Sequence, residues 1–113
     1  MAKTYIHIRS NPLPGKEAEY NAWYDNVHLP EMLQIEGVKA FQRFVLAKDQ
    51  MNDKEQSHKY LIQLEIDGND IPATIARMYA AHPTMRMEPV ADFENLELSV
   101  VQTFTEEVRK KGQ

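Results

Sequence analysis

The chain has 113 residues, enough for one packed core and too few for two, so residues 1–113 are read as a single domain. A composition of 42% hydrophobic and 27% charged residues rules against a disordered chain, and the lack of any cysteine excludes disulfides, thiolate metal sites and cysteine nucleophiles. The net charge of −4 comes from 17 acidic and 13 basic residues mixed along the sequence, which offers a phosphate backbone no basic footprint and excludes nucleic acid as an expected partner.

No apolar run approaches the length that crosses a bilayer, and MAKTYIHIRS lacks the apolar segment of a secretion signal. A cytoplasmic protein without a membrane partner is expected. Residues 4–9 alternate, with Ile6 and Ile8 on one face and Tyr5, His7 and Arg9 on the other, and form a first strand. Proline and glycine in NPLPG, residues 11–15, stop the ladder, and a helix follows over residues 16–27. Tyr20, Trp23, Tyr24 and Val27 share one stripe of that helix, which should meet a sheet. Pro30 should end or kink the helix near His28, with one more turn over residues 31–35.

Residues 38–46 and 59–66 read as a hairpin of two strands whose long polar tip spans residues 47–58. DGND, residues 67–70, supplies a turn and a cap, and Pro72 suits a first helical turn. Ile71, Ile75, Met78, Tyr79 and His82 then line one side of a second helix that Pro83 ends. Residues 84–95 show no period and are expected to pack irregularly through Met85 and Met87. Residues 96–105 form a last strand, and the charged tail 106–113 should be frayed.

The order βαββαβ is that of an α+β, ferredoxin-like fold, a four-stranded antiparallel sheet with two helices on one face. The opposite face is then bare. Phe41, Val45, Leu61 and Val101 are expected there, beside Lys39, Arg43, Gln63, Glu65, Ser99 and Thr103, with Arg43 and Glu65 paired across the hairpin. Such a face is too apolar for water, and a homodimer joined through its sheet faces would cover it.

The aromatic helix and His-Leu-Pro of YNAWYDNVHLPEML, residues 20–33, followed by GVKAFQRF from Gly37, resemble the EthD-like members of the dimeric α/β-barrel superfamily. The likeness runs through the chain in element order and is specific over residues 17–44. It implies that two protomers form a barrel from their sheets and that a small-molecule pocket lies between each sheet and its helices. The superfamily includes cofactor-free monooxygenases, polyketide cyclases, muconolactone isomerases and haem-degrading enzymes, together with proteins of no assigned activity, so the resemblance does not choose the reaction.

His28 follows the buried stripe, and a neutral imidazole aimed between helix and sheet can take a proton at neutral pH. The resemblance implies a pocket role for it. The structural alternative is a helix-terminal histidine bonded to carbonyls that Pro30 leaves free. Asp25, three residues earlier, is placed to orient the ring, and His82 ends the stripe of the second helix in a parallel position, so the two imidazoles would form an acid–base pair if one cleft held both. Candidate ligand contacts are Tyr20, Trp23, Tyr24, Tyr79 and His7. Core packing is the simpler role for Trp23, and a place in the subunit interface is the simpler one for His7. Asp25, His28 and Glu31 do not make a metal site, because Pro30 interrupts the helix that would align them. His58 is expected to be solvated.

These residues point to a cofactor-free enzyme that isomerises, cyclises or oxygenates an aromatic or polyketide-like substrate by proton transfer. A non-catalytic accessory or ligand-carrying protein is one alternative. A haem-binding monooxygenase, with a histidine as axial ligand, is the other.

Overall fold

In the computed structural model, which describes residues 2–112, alternation decides the faces of the sheet. Strand β1 (Thr4–Ser10) turns Thr4, Ile6 and Ser10 into the interior and leaves Tyr5, His7 and Arg9 on the other side. It pairs antiparallel with β3 (Tyr60–Ile66) on one flank and β4 (Glu97–Gln102) on the other. Strand β2 (Val38–Val45) completes the order β2-β3-β1-β4. The helices cover one face only, and Tyr20, Trp23, Tyr24, Leu29 and Met32 pack there against Ile6, Ile62, Leu64 and Ile66. This is the ferredoxin-like arrangement expected.

Strand β2 departs from simple alternation. Its register shifts between Val38, opposite Ile66, and Ala40, opposite Glu65, so that two residues follow one another on the outer side. From there Phe41 and Arg43 stand opposite Leu64 and Ile62 on the helix side, and Val45 stands opposite Tyr60. The bulge therefore corrects the expected bare face. Phe41, Arg43 and Val45 leave it, while Ala40, Gln42 and Phe44 join Tyr5, His7, Leu61, Gln63, Glu65, Ser99 and Val101 there. Arg43 does not meet Glu65. It runs beneath the first helix, donates to Asp25 Oδ1 at 2.9 Å and Asn21 Oδ1 at 2.7 Å, and lies over the rings of Tyr20, Tyr24 and Tyr60.

The first helix does not break at Pro30. After α1 (Glu17–Trp23) the chain widens into a π turn (Tyr24–His28), closed by the Leu29 N–H donating to the Tyr24 carbonyl five residues back. The α-helix resumes as α2 (Leu29–Met32), and Pro30 falls in its first turn, where a missing N–H costs little. Helix α3 (Ile71–Ala81) is capped as expected, by the Asp70 side chain accepting from the Ala73 N–H, and a 3-10 turn (His82–Thr84) follows it. Gly37, at φ +95°, lets α3 approach the start of β2 closely, since a Cβ there would meet Thr74 Oγ1 at 2.7 Å.

His58 is not solvated. Its side chain is 7% exposed, its Nε2–H donates to the Asn95 carbonyl, and Nδ1 lies 2.8 Å from Ser57 Oγ and 3.1 Å from a Glu97 oxygen. The ring ties the long β2–β3 connection to the segment that leads into β4. The hydroxyl and the carboxylate crowd the same nitrogen, so these groups do not make a nucleophile–base–carboxylate triad. Strand β4 ends at Gln102 rather than at residue 105, and residues 106–112 of the tail are exposed and form no helix or strand, its last residue lying outside those described. No helix among the described residues is long and apolar enough to cross a membrane.

Candidate functional site

The stripes of the two helices do not meet completely above the β1–β4 half of the sheet, and a cavity of about 420 Å³ opens between them. Ile6, Ile8, Leu64, Leu98 and Val100 form its floor. Tyr24, His28, Leu29 and Met32 form one wall, and Ile75, Met78, Tyr79 and His82 form the other. Met85, Met87, Phe93 and Leu96 close it from the irregular segment that precedes β4.

The π turn sets the position of His28. Residues five apart lie far round an α-helix from one another, but a π turn brings them nearly into line. Trp23 and His28 accordingly stack, with ring centroids 4.5 Å apart and planes 15° from parallel. Tyr24 meets the same imidazole edge-on at 5.6 Å, and the indole is fixed by its Nε1–H donating to the Arg86 carbonyl at 2.9 Å. His28 Nδ1 is buried without a hydrogen-bond partner among the described residues, which removes the reading of His28 as a cap on free carbonyls. Burial pushes the imidazole down to about 4, with the Glu31 carboxylate opposing this and His82 adding to it. The ring is therefore neutral at pH 7, the form that accepts a proton.

Of the residues singled out from the sequence, His28, His82, Tyr24 and Tyr79 share the cavity. Asp25 does not reach it. The π turn rotates that side chain toward β2, where the carboxylate is 54% exposed and bonded to Arg43 rather than to the imidazole. Tyr20 and Trp23 are core residues behind the wall, at 0% and 2% exposure. His7 lies on the opposite face of the sheet, its Nε2–H donating to Gln63 Oε1 at 2.9 Å. Burial raises Tyr20 to about 12 and raises Tyr24 as well, so both phenols stay protonated at neutral pH and neither is a base.

The floor and the loop wall are not among the site residues expected from the sequence. Leu98 and Val100 could have been placed from the alternation of β4, whereas nothing in a period of 3.6 marks the Trp23–His28 stack. Among the described residues, no three histidine, aspartate or glutamate side chains gather in a way that could hold a metal ion.

No protein-family model matches the sequence, and no curated protein matches it. Solved structures match the fold. An EthD-like protein from Ralstonia eutropha superposes with a TM-score of 0.65 at 10% identity, covering 95% of this chain and 96% of its own. An ethyl tert-butyl ether D (EthD) family protein from Bacillus halodurans gives 0.54 at 15% identity, over 89% and 97% of the two chains. HapK from Hahella chejuensis gives 0.52 at 15% identity, over 99% and 100%. The fold is thus that of EthD-like proteins, as the sequence resemblance implied.

Proposed function

We propose that the cavity binds a small molecule and that His28 accepts a proton from it. The observation that carries this reading is a neutral, desolvated imidazole on the wall of an apolar cavity, with a second imidazole, His82, on the facing wall. Transfer of an acidic proton from a carbon or hydroxyl of the ligand to His28 leaves an anion beside an imidazolium, which the face of Trp23 stabilises. Return of the proton to a different atom completes an isomerisation. Attack by the anion on a carbonyl of the same molecule completes a cyclisation, and reaction with dioxygen as oxidant gives an oxygenation. His82 is suited to return the proton. An aromatic or polyketide-like substrate would supply such a proton.

In this reading two copies set their bare sheet faces together, covering Phe44, Leu61 and Val101 and the His7–Gln63 pair. Domain organisation is read as one unit spanning the chain, and the location as cytoplasmic.

The test is exchange of a ligand's acidic proton with deuterated solvent, followed by mass spectrometry. Wild-type protein should catalyse it, and His28→Gln should lose it while retaining its circular dichroism. Equal exchange by both would reject His28 as the base. Ligand binding with no exchange in either would favour the carrier reading, which the scarcity of polar groups in the cavity also supports.

A further inference from the structure

The charges around the cavity narrow its ligand further, given the reading of that cavity as a ligand site. Among the described residues, no lysine, arginine, aspartate or glutamate lines it. Arg43, Arg86 and Glu31, on the elements around it, have partners outside it. Arg43 lies under Tyr20 and Tyr24, held by Asp25 and Asn21, while the Arg86 guanidinium pairs with Glu88 at 3.3 Å and the Glu31 carboxylate accepts from the Arg86 backbone N–H at 3.1 Å. The polar side chains that remain on the wall are the imidazoles of His28 and His82 and the phenols of Tyr24 and Tyr79.

A carboxylate or phosphate entering this space would lose its hydration and meet no fixed cation. An ammonium would likewise meet no carboxylate. Met32, Met78, Met85 and Met87 also line the cavity, and thioether chains adapt their shape to apolar surfaces of differing outline.

From this we infer that the ligand is uncharged as it binds and largely apolar, and that carboxylated, phosphorylated and amine-bearing molecules are excluded. Charge arises in the cavity only after the ligand has bound, when its proton moves to His28, and it disappears before release. The ligand therefore enters and leaves neutral.

Three probes of one length test this at pH 7.5: 1-nonanol, nonanoate and nonylamine. Binding is followed by the emission of Trp23, the chain's one tryptophan, and by the melting temperature. Nonanol should bind, with nonanoate and nonylamine weaker by at least about tenfold. Nonanoate or nonylamine binding as tightly as nonanol would overturn the neutral-ligand inference and leave the ligand site standing. Failure of all three probes would remove the ligand site itself, and the inference with it.

Two variants tie the result to the cavity. Ile75→Phe fills part of it and should weaken nonanol binding by at least about tenfold, whereas undiminished binding by a folded variant would place the alcohol elsewhere and overturn both readings. Met78→Lys adds the missing cation and should tighten nonanoate by about tenfold relative to wild type. An unchanged preference in that variant would show that wall charge does not govern selection, and would overturn the inference.

Discussion

The imidazole of His28 lies flat against the indole of Trp23, centroids 4.5 Å apart, at the point where the first helix widens. Stacking on an indole favours a charged imidazole by about 1 kcal/mol, but burial opposes the charge more strongly and holds the folded-state value at about 4 against an ordinary 6.5. Between those two values the unfolded chain binds a proton that the folded chain refuses. This contribution is absent above pH 6.5, and it lowers stability progressively as pH falls toward 4. In urea titrations, wild-type protein should lose about 2–3 kcal/mol more than His28→Phe between pH 7 and pH 4. Parallel pH profiles would contradict the burial of the ring.

Asp25 and Arg43 make an unequal pair. The carboxylate is half in water, so Asp25→Asn should cost at most about 1 kcal/mol of stability and should change turnover less than threefold. Arg43 is largely enclosed by tyrosine rings and carries two side-chain bonds, so Arg43→Met should cost about 2–3 kcal/mol. A large loss of turnover in Asp25→Asn, with stability retained, would restore the carboxylate as a partner of His28.

His58 anchors a long connection through both nitrogens of its ring, beside the bonds of Asn11 to Ser57 and Lys59. His58→Ala should destabilise the fold by about 1–3 kcal/mol. Amide exchange should rise across residues 47–58 and at Phe93–Asn95, the short turn next to the cavity. Unchanged protection in both segments would mean that the ring anchors neither.

Gly37 is required twice over, by its positive φ and by the space that Thr74 takes. Gly37→Ala should cost about 2–3 kcal/mol, because the strain and the clash act at one residue. A thermal melt within a degree of wild type would contradict the close approach of α3.

The order of elements was legible because period and punctuation agree: alternation in β1 and β3, proline and glycine between elements, and an Asp70 cap on α3. Of the expected stripe, Ile75, Met78 and Tyr79, with His82 just past the end of α3, line the cavity, and Ile71 does not. Two irregularities escaped. The bulge at Val38–Ala40 inverted β2 and carried Arg43 inward, and the π turn replaced the expected break. Each adds one residue to a regular count, and a pattern of fixed period carries no mark of such an insertion. The role of Asp25 failed for that reason, because spacing by three was measured along a helix that does not keep a constant pitch there.

That single surplus residue carries a lesson for engineering and descent alike. Deleting Asn26 would let the helix run through as uninterrupted α, and Trp23 and His28, then four residues apart, would still share one face, so the wide turn houses its extra residue without moving the two rings out of line. Pro30, however, would press on a carbonyl of an unbroken coil. The wide turn is thus where one added codon is housed, beside a proline that a regular helix would not accept.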